Sequence, residues 1–336
     1  MRELIDKYRL GAKRRRLLRR GLEKEVQLKS IIDQTDKIKP NDIILVSTCH
    51  DEATRLPYFL KYYRKLGVGH FLMIDNRSTD KTKNLLKKQP DVSLWYTNKS
   101  YKGARFGVDW VNALLNRYCS GHWILSVDPD EFLVFPHMET RPLHAMTDWM
   151  DQRQKRSFGT VLLDMYPRKP LSEAIYKTGT NPLNTAPFFD GSNYIKRINA
   201  YSKNLWVQGG VRQRVFFADD PRAAPALNKI PLVKWQKGQV YVSSAHTLLP
   251  RILNVTYSHS TKPQICGVLL HFKFNNLILP KIEEELQRKQ HYAGSREYKA
   301  YANHGNDVHL WTKSSTKYEN WQQLEELGLM SRGDWI

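Results

Sequence analysis

The 336-residue sequence has few cysteines and no long apolar run. Its three cysteines, Cys49, Cys119 and Cys266, cannot form a network of disulfides, and such usage is typical of a reducing compartment. The longest apolar runs, residues 43–46 and 267–270, have the length of strands, whereas a membrane-spanning helix needs roughly 18 apolar residues. The sequence therefore argues against an integral membrane protein and a disulfide-bonded secreted module, and no secretory signal is expected.

The sequence also lacks the short motifs of several enzyme classes. It contains neither Gly-x-x-x-x-Gly-Lys-Ser/Thr nor Gly-x-Gly-x-x-Gly, so a P-loop fold and a dinucleotide-binding fold are not expected. Gly-x-Ser-x-Gly is missing as well, and no cysteine lies in a recognised nucleophile context. These absences disfavour hydrolases that use a serine or cysteine nucleophile.

Acidic residues are in the minority: 33 Asp and Glu stand against 53 Lys and Arg, which gives a net charge of +20. Residues 1–30 alone hold eleven Lys and Arg and four Asp and Glu. A chain of this charge favours polyanionic partners such as nucleic acid, anionic lipid headgroups or phosphorylated substrates. No zinc-ligand spacing, RNA-binding aromatic motif or helix-turn-helix pattern accompanies the charge, so nucleic acid is not expected as a partner.

The basic N-terminal segment has a helical apolar pattern. Leu18, Leu22 and Val26 lie four residues apart and predict one apolar face of a helix. A basic amphipathic helix can bind an anionic membrane surface, and the same pattern also fits a solvated helix that packs on a domain. Both interpretations stay open at this point. In the first, residues 1–30 contact the membrane and the protein is cytoplasmic and peripheral at its inner face.

From residue 41 onward, short apolar runs alternate with helical patterns. The runs predict strands at residues 43–48, 70–74, 92–96, 122–127 and 160–163, and the patterns predict helices at residues 55–66, 79–88 and 108–118. Repeated βα units favour an α/β fold, with a mostly parallel central sheet flanked by helices. Residues 165–240 are rich in Pro, Asn and Gly and predict long loops with short strands, and the pattern from residue 279 onward predicts a helical C-terminus.

Acidic side chains follow three of the predicted strands. Asp51 follows the first strand, Asp75 the second, and Asp128-Pro-Asp130 the fourth. The carboxyl ends of parallel strands meet at one edge of a sheet, which is where such folds bind ligands. Two carboxylates one residue apart are suitable ligands for Mg²⁺ or Mn²⁺, which also bind substrate phosphates, although a solvated Asp-Pro turn would look the same. We expect a divalent cation at Asp128 and Asp130.

At these motifs the sequence resembles a known family. Residues 41–135 resemble the nucleotide-sugar-binding half of a GT-A glycosyltransferase of the family 2 type. The resemblance lies in Ser47-Thr-Cys-His-Asp-Glu52, Leu56-Pro-Tyr-Phe-Leu60, Ile74-Asp-Asn-Arg-Ser-Thr-Asp80 and Asp128-Pro-Asp130. Three later segments, at residues 209–217, 229–235 and 270–274, are similar to a bacterial branch whose members often build surface polysaccharide.

The resemblance implies a GT-A-like nucleotide-diphospho-sugar transferase fold. Its catalytic domain would span residues 39–278, with the nucleotide-sugar-binding half at residues 39–135 and a loop-rich acceptor half at residues 136–278. Residues 1–38 would form the basic amphipathic segment, and residues 279–336 a helical extension. The donor would be a nucleotide diphospho-sugar, and the acceptor a glycan or a lipid-linked molecule.

The resemblance also implies roles for single residues. Asp75 matches the acid that holds the nucleoside base, and Arg105 matches a basic residue near the base and phosphates. Asp128 matches the first acid of the metal motif, near the ribose, and Asp130 the direct metal ligand. Asp51 is a further donor-binding candidate.

Two positions depart from the family pattern, since Asn76 stands where a second acid is frequent and Arg77 replaces a glycine. These departures would affect the choice of donor.

Later polar residues supply further candidates. His271 matches the late histidine that many GT-A enzymes bring to the metal; His246 competes with it, and a histidine bonded in the core is the alternative. Arg212 and Arg214 alternate with apolar residues, so on a strand they would share one face and could bind a diphosphate. A solvated basic face is the alternative for these two arginines.

An inverting sugar transfer needs a carboxylate that takes a proton from the acceptor hydroxyl. The candidates are Asp164, Asp190 and Asp220, and the sequence does not choose among them. The leading hypothesis is therefore a metal-dependent glycosyltransferase. The alternatives are a nucleotidyltransferase acting on a sugar phosphate and a non-catalytic module that binds polyanions.

Overall fold

The computed structural model describes residues 2–257, 263–288, 292–305 and 307–335. The helices are α1 (Arg2–Glu25), α2 (Leu56–Leu66), α3 (Thr82–Lys87), α4 (Val108–Tyr118), α5 (Leu143–Gln152), α6 (Ile278–Arg288), α7 (Tyr292–Ala302) and α8 (Trp321–Glu326). The strands are β1 (Lys29–Ile32), β2 (Ile43–Cys49), β3 (Val68–Asn76), β4 (Val92–Thr97), β5 (Trp123–Ser126), β6 (Glu131–Val134), β7 (Ser157–Asp164), β8 (Phe188–Asp190), β9 (Tyr194–Ile198), β10 (Leu205–Gly209), β11 (Asn228–Lys234), β12 (Val240–Ser243), β13 (Thr247–Leu249), β14 (Gly267–His271) and β15 (Ser315–Lys317).

A nine-stranded sheet forms the centre of the fold, in the order β1-β4-β3-β2-β5-β11-β7-β14-β6. Strands β4, β3, β2 and β5 are parallel to one another, and β7 is parallel to β14. Strand β11 lies between β5 and β7 and is antiparallel to both, and β1 and β6 are antiparallel at the two edges. Six of the nine strands therefore run in one direction, which confirms the expected α/β fold with a mostly parallel central sheet.

The apolar runs of the sequence lie in the middle of this sheet because both of its faces are covered. On β2, Ile43 and Leu45 pack into one core with α2, whereas Ile44 and Val46 pack into a second core with α4. Side chains alternate between the two faces of a strand, so a strand covered on both sides needs apolar residues at every position. The continuous apolar run of β2 is the reason that the sequence predicts a buried strand at this place.

Two local predictions were wrong. Helix α3 begins at Thr82 and not at residue 79, and the backbone N–H groups of Ser78 and Thr79 donate to Asp75 and Asp51. Arg212–Phe216 forms a π-helical turn and not a strand, so the two arginines of this segment do not share a strand face. The region at residues 165–240 contains short strands between loops as expected, and one of its strands, β11, completes the central sheet.

The predicted apolar face of α1 packs only in part: Leu18 is partly buried against the domain, whereas the other two residues of the pattern are exposed. Leu22 is 65% exposed and Val26, beyond the end of the helix, is 86% exposed. The helix instead packs on the domain through Leu10 and Leu17, which are buried in a cluster with β12 and β13 residues, and through Gly21. Gly21 lies against α4, where an added Cβ atom would be 3.6 Å from the backbone of that helix, an ordinary van der Waals distance.

The C-terminal part of the chain packs against the rest of the fold. Helix α8 contributes Trp321 and Leu324 to the main core, and β15 pairs with β8. Residues 289–291, 306 and 336 of the predicted extension lie outside the described residues. Within the described ranges, none of the helices combines the length and the apolar composition needed to cross a membrane.

Candidate active site

A small cleft lies at the carboxyl ends of β2 and β5. Its floor comes from the sheet and one wall from the loop that precedes α4. The lining residues used below are Ser47, Thr48, Tyr101, Phe106, Gly107 and Asp128. The cleft thus lies where an open α/β sheet is expected to bind a ligand.

The wall of the cleft has an unusual backbone. Arg105, Phe106 and Gly107 have positive φ angles of 51°, 60° and 77°. The Nε of Arg105 donates to Asp109 at 2.7 Å and its Nη1 donates to the carbonyl of Val242 at 2.7 Å. Arg105, which was expected to lie near the donor base and phosphates, therefore stabilises the wall of the cleft through these hydrogen bonds.

Two hydroxyls on the cleft have no internal partner. Ser47 Oγ and Thr48 Oγ1 are buried and receive no hydrogen bond from any residue that the structure describes. The same holds for Oδ2 of Asp75, a fully buried residue at the end of β3, whose Oδ1 accepts from the Ser78 N–H at 2.9 Å. A buried polar atom without a partner costs about 1–3 kcal/mol, and such atoms are usually satisfied by a ligand or water.

Asp51 joins the loop after β2 to the loop after β3. Its Oδ1 accepts from the backbone N–H groups of Thr79 at 2.6 Å and Asp80 at 3.1 Å. Burial alone would raise the pKa of Asp51, but these two backbone N–H groups outweigh it and lower that pKa. The carboxylate is thus ionised and holds the two loops together at the edge of the sheet.

The acidic turn after β5 is paired with a lysine that sequence reasoning missed. Lys229 Nζ lies 3.2 Å from Oδ2 of the half-exposed Asp128 and 2.5 Å from Oε1 of the buried Glu131. Burial alone would lower the pKa of Lys229, but the two carboxylates outweigh it and raise that pKa. Lys229 is the second residue of β11, and only the insertion of this strand between β5 and β7 brings its ammonium group to the turn.

His271 lies between two carboxylates. Its Nδ1 is 2.6 Å from Asp164 Oδ1, and its Nε2 is 3.5 Å from Asp130 Oδ2. The register of the sheet produces this group, because His271 at the end of β14 pairs with Asp164 at the end of β7. Burial alone would lower the pKa of His271, but Asp130 and Asp164 outweigh it and raise that pKa to about 9.

Asp164 is held from a second side by Arg212. The guanidinium donates to both carboxylate oxygens, at 3.1 Å from Nε and 2.5 Å from Nη2, and its Nη1 lies 3.2 Å from Glu297. Burial alone would raise the pKa of Asp164, but Arg212 and His271 outweigh it and lower that pKa. The structure therefore brings together Asp164, Arg212 and His271 in one buried ionic cluster. The sequence had suggested these residues as a base, a phosphate ligand and a metal ligand.

The other predicted site residues lie outside the ionic cluster of Asp164, Arg212 and His271. Asp190 accepts from the Tyr166 hydroxyl at 2.5 Å and from Arg214 Nε at 2.9 Å. Asp220 is 58% exposed and pairs with Arg296 on the surface. His246 has its Nδ1 2.6 Å from the carbonyl of Asn228 and not beside the acidic turn.

Asp130 and His271 supply atoms that could bind a divalent cation. Within the described ranges, no three His, Cys, Asp or Glu side chains form a ready-made metal site. Asp130 and His271 nevertheless point a carboxylate oxygen and a ring nitrogen at each other across 3.5 Å, with Asp164 on the other ring nitrogen. A carboxylate behind a histidine is the usual support for a metal-binding imidazole. The donors fit a hard cation that takes its other ligands from phosphate oxygens and water.

Comparison with known proteins gives limited similarity. No family model matches the chain, and no curated protein matches its sequence. A structure of 4-diphosphocytidyl-2C-methyl-D-erythritol synthase is 15% identical with a TM-score of 0.28, over 60% of this chain and 76% of that chain. The synthase from Anaerococcus prevotii is 10% identical with a TM-score of 0.25, over 86% and 97% of the two chains. UTP-bound UGPase from Acinetobacter baumannii is 9% identical with a TM-score of 0.28, over 86% and 92%. Similarity at this level does not extend to function.

Proposed function

We propose that the protein is a metal-dependent glycosyltransferase that binds a nucleotide diphospho-sugar in the cleft and transfers the sugar to an acceptor hydroxyl. The observation that carries the proposal is the set of partnerless polar atoms at the cleft and the adjoining strand end, on Ser47, Thr48 and Asp75. A nucleoside offers hydrogen-bond donors and acceptors that would satisfy them. Cys49 of β2 pairs with Asp75 of β3 in the sheet, so this carboxylate lies one strand away from the cleft floor.

The cations beside the cleft are paired with carboxylates, so a diphosphate would bind there together with a divalent cation. Lys229 carries a positive charge next to Asp128, and Arg212 and His271 form the ionic cluster next to Asp130. Asp128, Asp130 and the Nε2 of His271, after this nitrogen has lost its proton, would hold Mg²⁺ or Mn²⁺ together with phosphate oxygens. When bound, such a cation supplies positive charge against the charge that develops on the departing diphosphate.

Asp164 is better suited to orienting His271 than to acting as the base. Both of its oxygens accept hydrogen bonds, and its lowered pKa makes it a weak proton acceptor. We therefore assign it the task of holding Nδ1 of His271, which leaves Nε2 directed at Asp130. Asp190 and Asp220 stay as the candidates for the base, and single substitutions by Asn distinguish them by the loss of turnover.

The experiment that tests the proposal uses the purified full-length chain and a panel of nucleotide sugars. A ligand that binds only the folded protein raises the melting temperature. We expect one member of the panel to do so with Mn²⁺ and to release a nucleoside diphosphate when an acceptor is added. Release of pyrophosphate from a nucleoside triphosphate and a sugar phosphate would show a nucleotidyltransferase instead.

Asp130→Ala separates catalysis from simple anion binding. We expect this variant to lose at least about a hundredfold in turnover, because charge stabilisation at the leaving group is a large part of the barrier in such reactions. Asp36→Ala is the matched control, because Asp36 is an exposed acid in the segment between β1 and β2. If Asp130→Ala binds nucleotides and polyanions as the wild type does and no turnover is found in either, the protein is a binding module.

A further inference from the structure

Helix α1 has two distinct faces. Its inner face carries Leu10 and Leu17, which are 7% and 3% exposed, and packs on the domain. Its outer face carries large apolar residues that the fold leaves in solvent. Ile5 is 45% exposed, Tyr8 73% and Leu22 65%.

Arginines lie on the same outer face. Tyr8, Arg15, Arg19, Leu22 and Val26 follow one another at spacings of seven, four, three and four residues, so they form one stripe along the helix and its C-terminal end. Each of these five residues is exposed. Arg19 contacts Glu23, but both side chains are largely in solvent, where such a pair contributes little.

A shallow groove of about 900 Å³ continues the apolar part of this face. Leu22 and Val26 form one side of it, and Leu28, Trp95, Leu114 and Tyr118 form apolar parts of the remainder. The Arg117–Glu25 ion pair, 2.5 Å between Nη1 and Oε1, lies at the same groove. The outer face therefore combines an arginine cluster with exposed apolar side chains, Leu22 and Val26 among them. Trp95 and Leu114 of the groove are buried members of the core.

We propose that the outer face of α1, with the adjoining groove, docks on an anionic lipid surface. A helix of this kind lies in the plane of the interface, with its arginines at the headgroups and its apolar side chains at the start of the acyl region. Nucleic acid would match the arginines but offers no comparable place for exposed Leu22 and Val26. The helix is already formed and packed through its inner face, so docking requires no refolding. This inference is independent of the proposed catalytic function.

The test is flotation of the full-length chain with vesicles of phosphatidylcholine alone or with phosphatidylglycerol added. We expect binding only to the anionic vesicles, and weaker binding as salt is raised. Arg15→Glu, Arg16→Glu and Arg19→Glu combined should weaken binding by roughly a hundredfold, since each basic residue near such a surface contributes about a tenfold factor or less. Lys81→Glu, Lys87→Glu and Lys88→Glu combined is the matched control, because these exposed lysines change the net charge equally.

A second variant distinguishes lipid from other polyanions. Leu22→Ser with Val26→Ser keeps the charge and should weaken vesicle binding about tenfold, while binding to duplex DNA stays unchanged. The inference is overturned if both charge variants bind vesicles alike. It is also overturned if the serine variant binds vesicles as the wild type does, or if DNA binds more tightly than anionic vesicles at the same salt. Circular dichroism of each variant checks that α1 is still folded.

Discussion

Arg20 on α1 donates to Oδ2 of Asp109 on α4, at 2.9 Å from Nη2 and 3.2 Å from Nε, and Asp109 is completely buried. Arg105 binds the other oxygen of the same carboxylate, and Arg20 also contacts the carbonyl of Gly103 at 3.3 Å. The N-terminal helix is therefore connected to the loop that forms the wall of the cleft. Deleting α1 would disturb this wall, so point substitutions are the better probes of the helix.

Arg20→Ala should weaken donor binding without removing catalysis. The carboxylate of Asp109 would keep only Arg105, and the loop that carries Tyr101 and Phe106 would lose one of its anchors. A hydrogen bond to a charged group contributes about 1.5–3 kcal/mol, so we expect KM for the donor to rise roughly tenfold while kcat changes little. Calorimetric titration with the donor nucleotide provides a second readout. Arg19→Ala is the control, and an equal effect of the two variants would contradict the connection.

Gly107→Ala should close part of the cleft. An added Cβ atom would lie 3.0 Å from the Tyr101 ring and 3.1 Å from Thr48 Oγ1, at a φ of 77°. Gly238 has a similar φ of 92° but nothing within 4 Å of its added Cβ atom, so Gly238→Ala reports the backbone cost alone. Chemical denaturation should show a loss of about 1–2 kcal/mol for both variants. Only Gly107→Ala should lose affinity for the donor nucleotide, and unchanged affinity would show that the cleft is not the donor site.

Asp164→Asn tests whether Asp164 orients His271. Loss of a carboxylate behind a metal-binding histidine typically lowers metal affinity about 10- to 100-fold. We therefore expect weaker Mn²⁺ binding in the presence of nucleotide, measured by titration calorimetry and independently of turnover. Asp36→Asn serves as the control. If turnover falls while Mn²⁺ affinity is unchanged, Asp164 acts on the acceptor as a base and not through His271.

His246 should make the fold sensitive to acid. Burial, with a contribution from Lys229, lowers the pKa of His246 to about 4, below the value of about 6.5 for an exposed histidine. Between these values the unfolded chain binds a proton that the folded protein does not, so this contribution to stability is lost as pH falls from 6.5 toward 4. The loss is about 1.4 kcal/mol per pH unit. His246→Asn keeps a donor for the Asn228 carbonyl, and urea unfolding at pH 7 and pH 4.5 should show a smaller fall in its free energy of unfolding than in the wild type. An equal fall in both proteins would contradict this assignment.

The sequence by itself determined the alternation of strands and helices between β2 and α4. The spacing of apolar residues is a local property, and a strand such as β2, covered on both faces, needs apolar residues at every position. The same reasoning placed Asp51, Asp75 and the acidic turn at strand ends. The expectation that these residues lie together followed from the rule that parallel strands end at one edge of the sheet.

The tertiary structure alone decided which charges meet at that edge. Lys229 reaches Asp128 and Glu131 because β11 enters the sheet in the opposite direction between β5 and β7, and His271 meets Asp164 because β14 pairs in register with β7. These partners are separated by 98 to 107 positions along the chain, so no local pattern indicates them. The buried face of α1 was decided in the same way, because Leu10, Leu17 and Gly21 pack on β12, β13 and α4, which lie far from them along the chain.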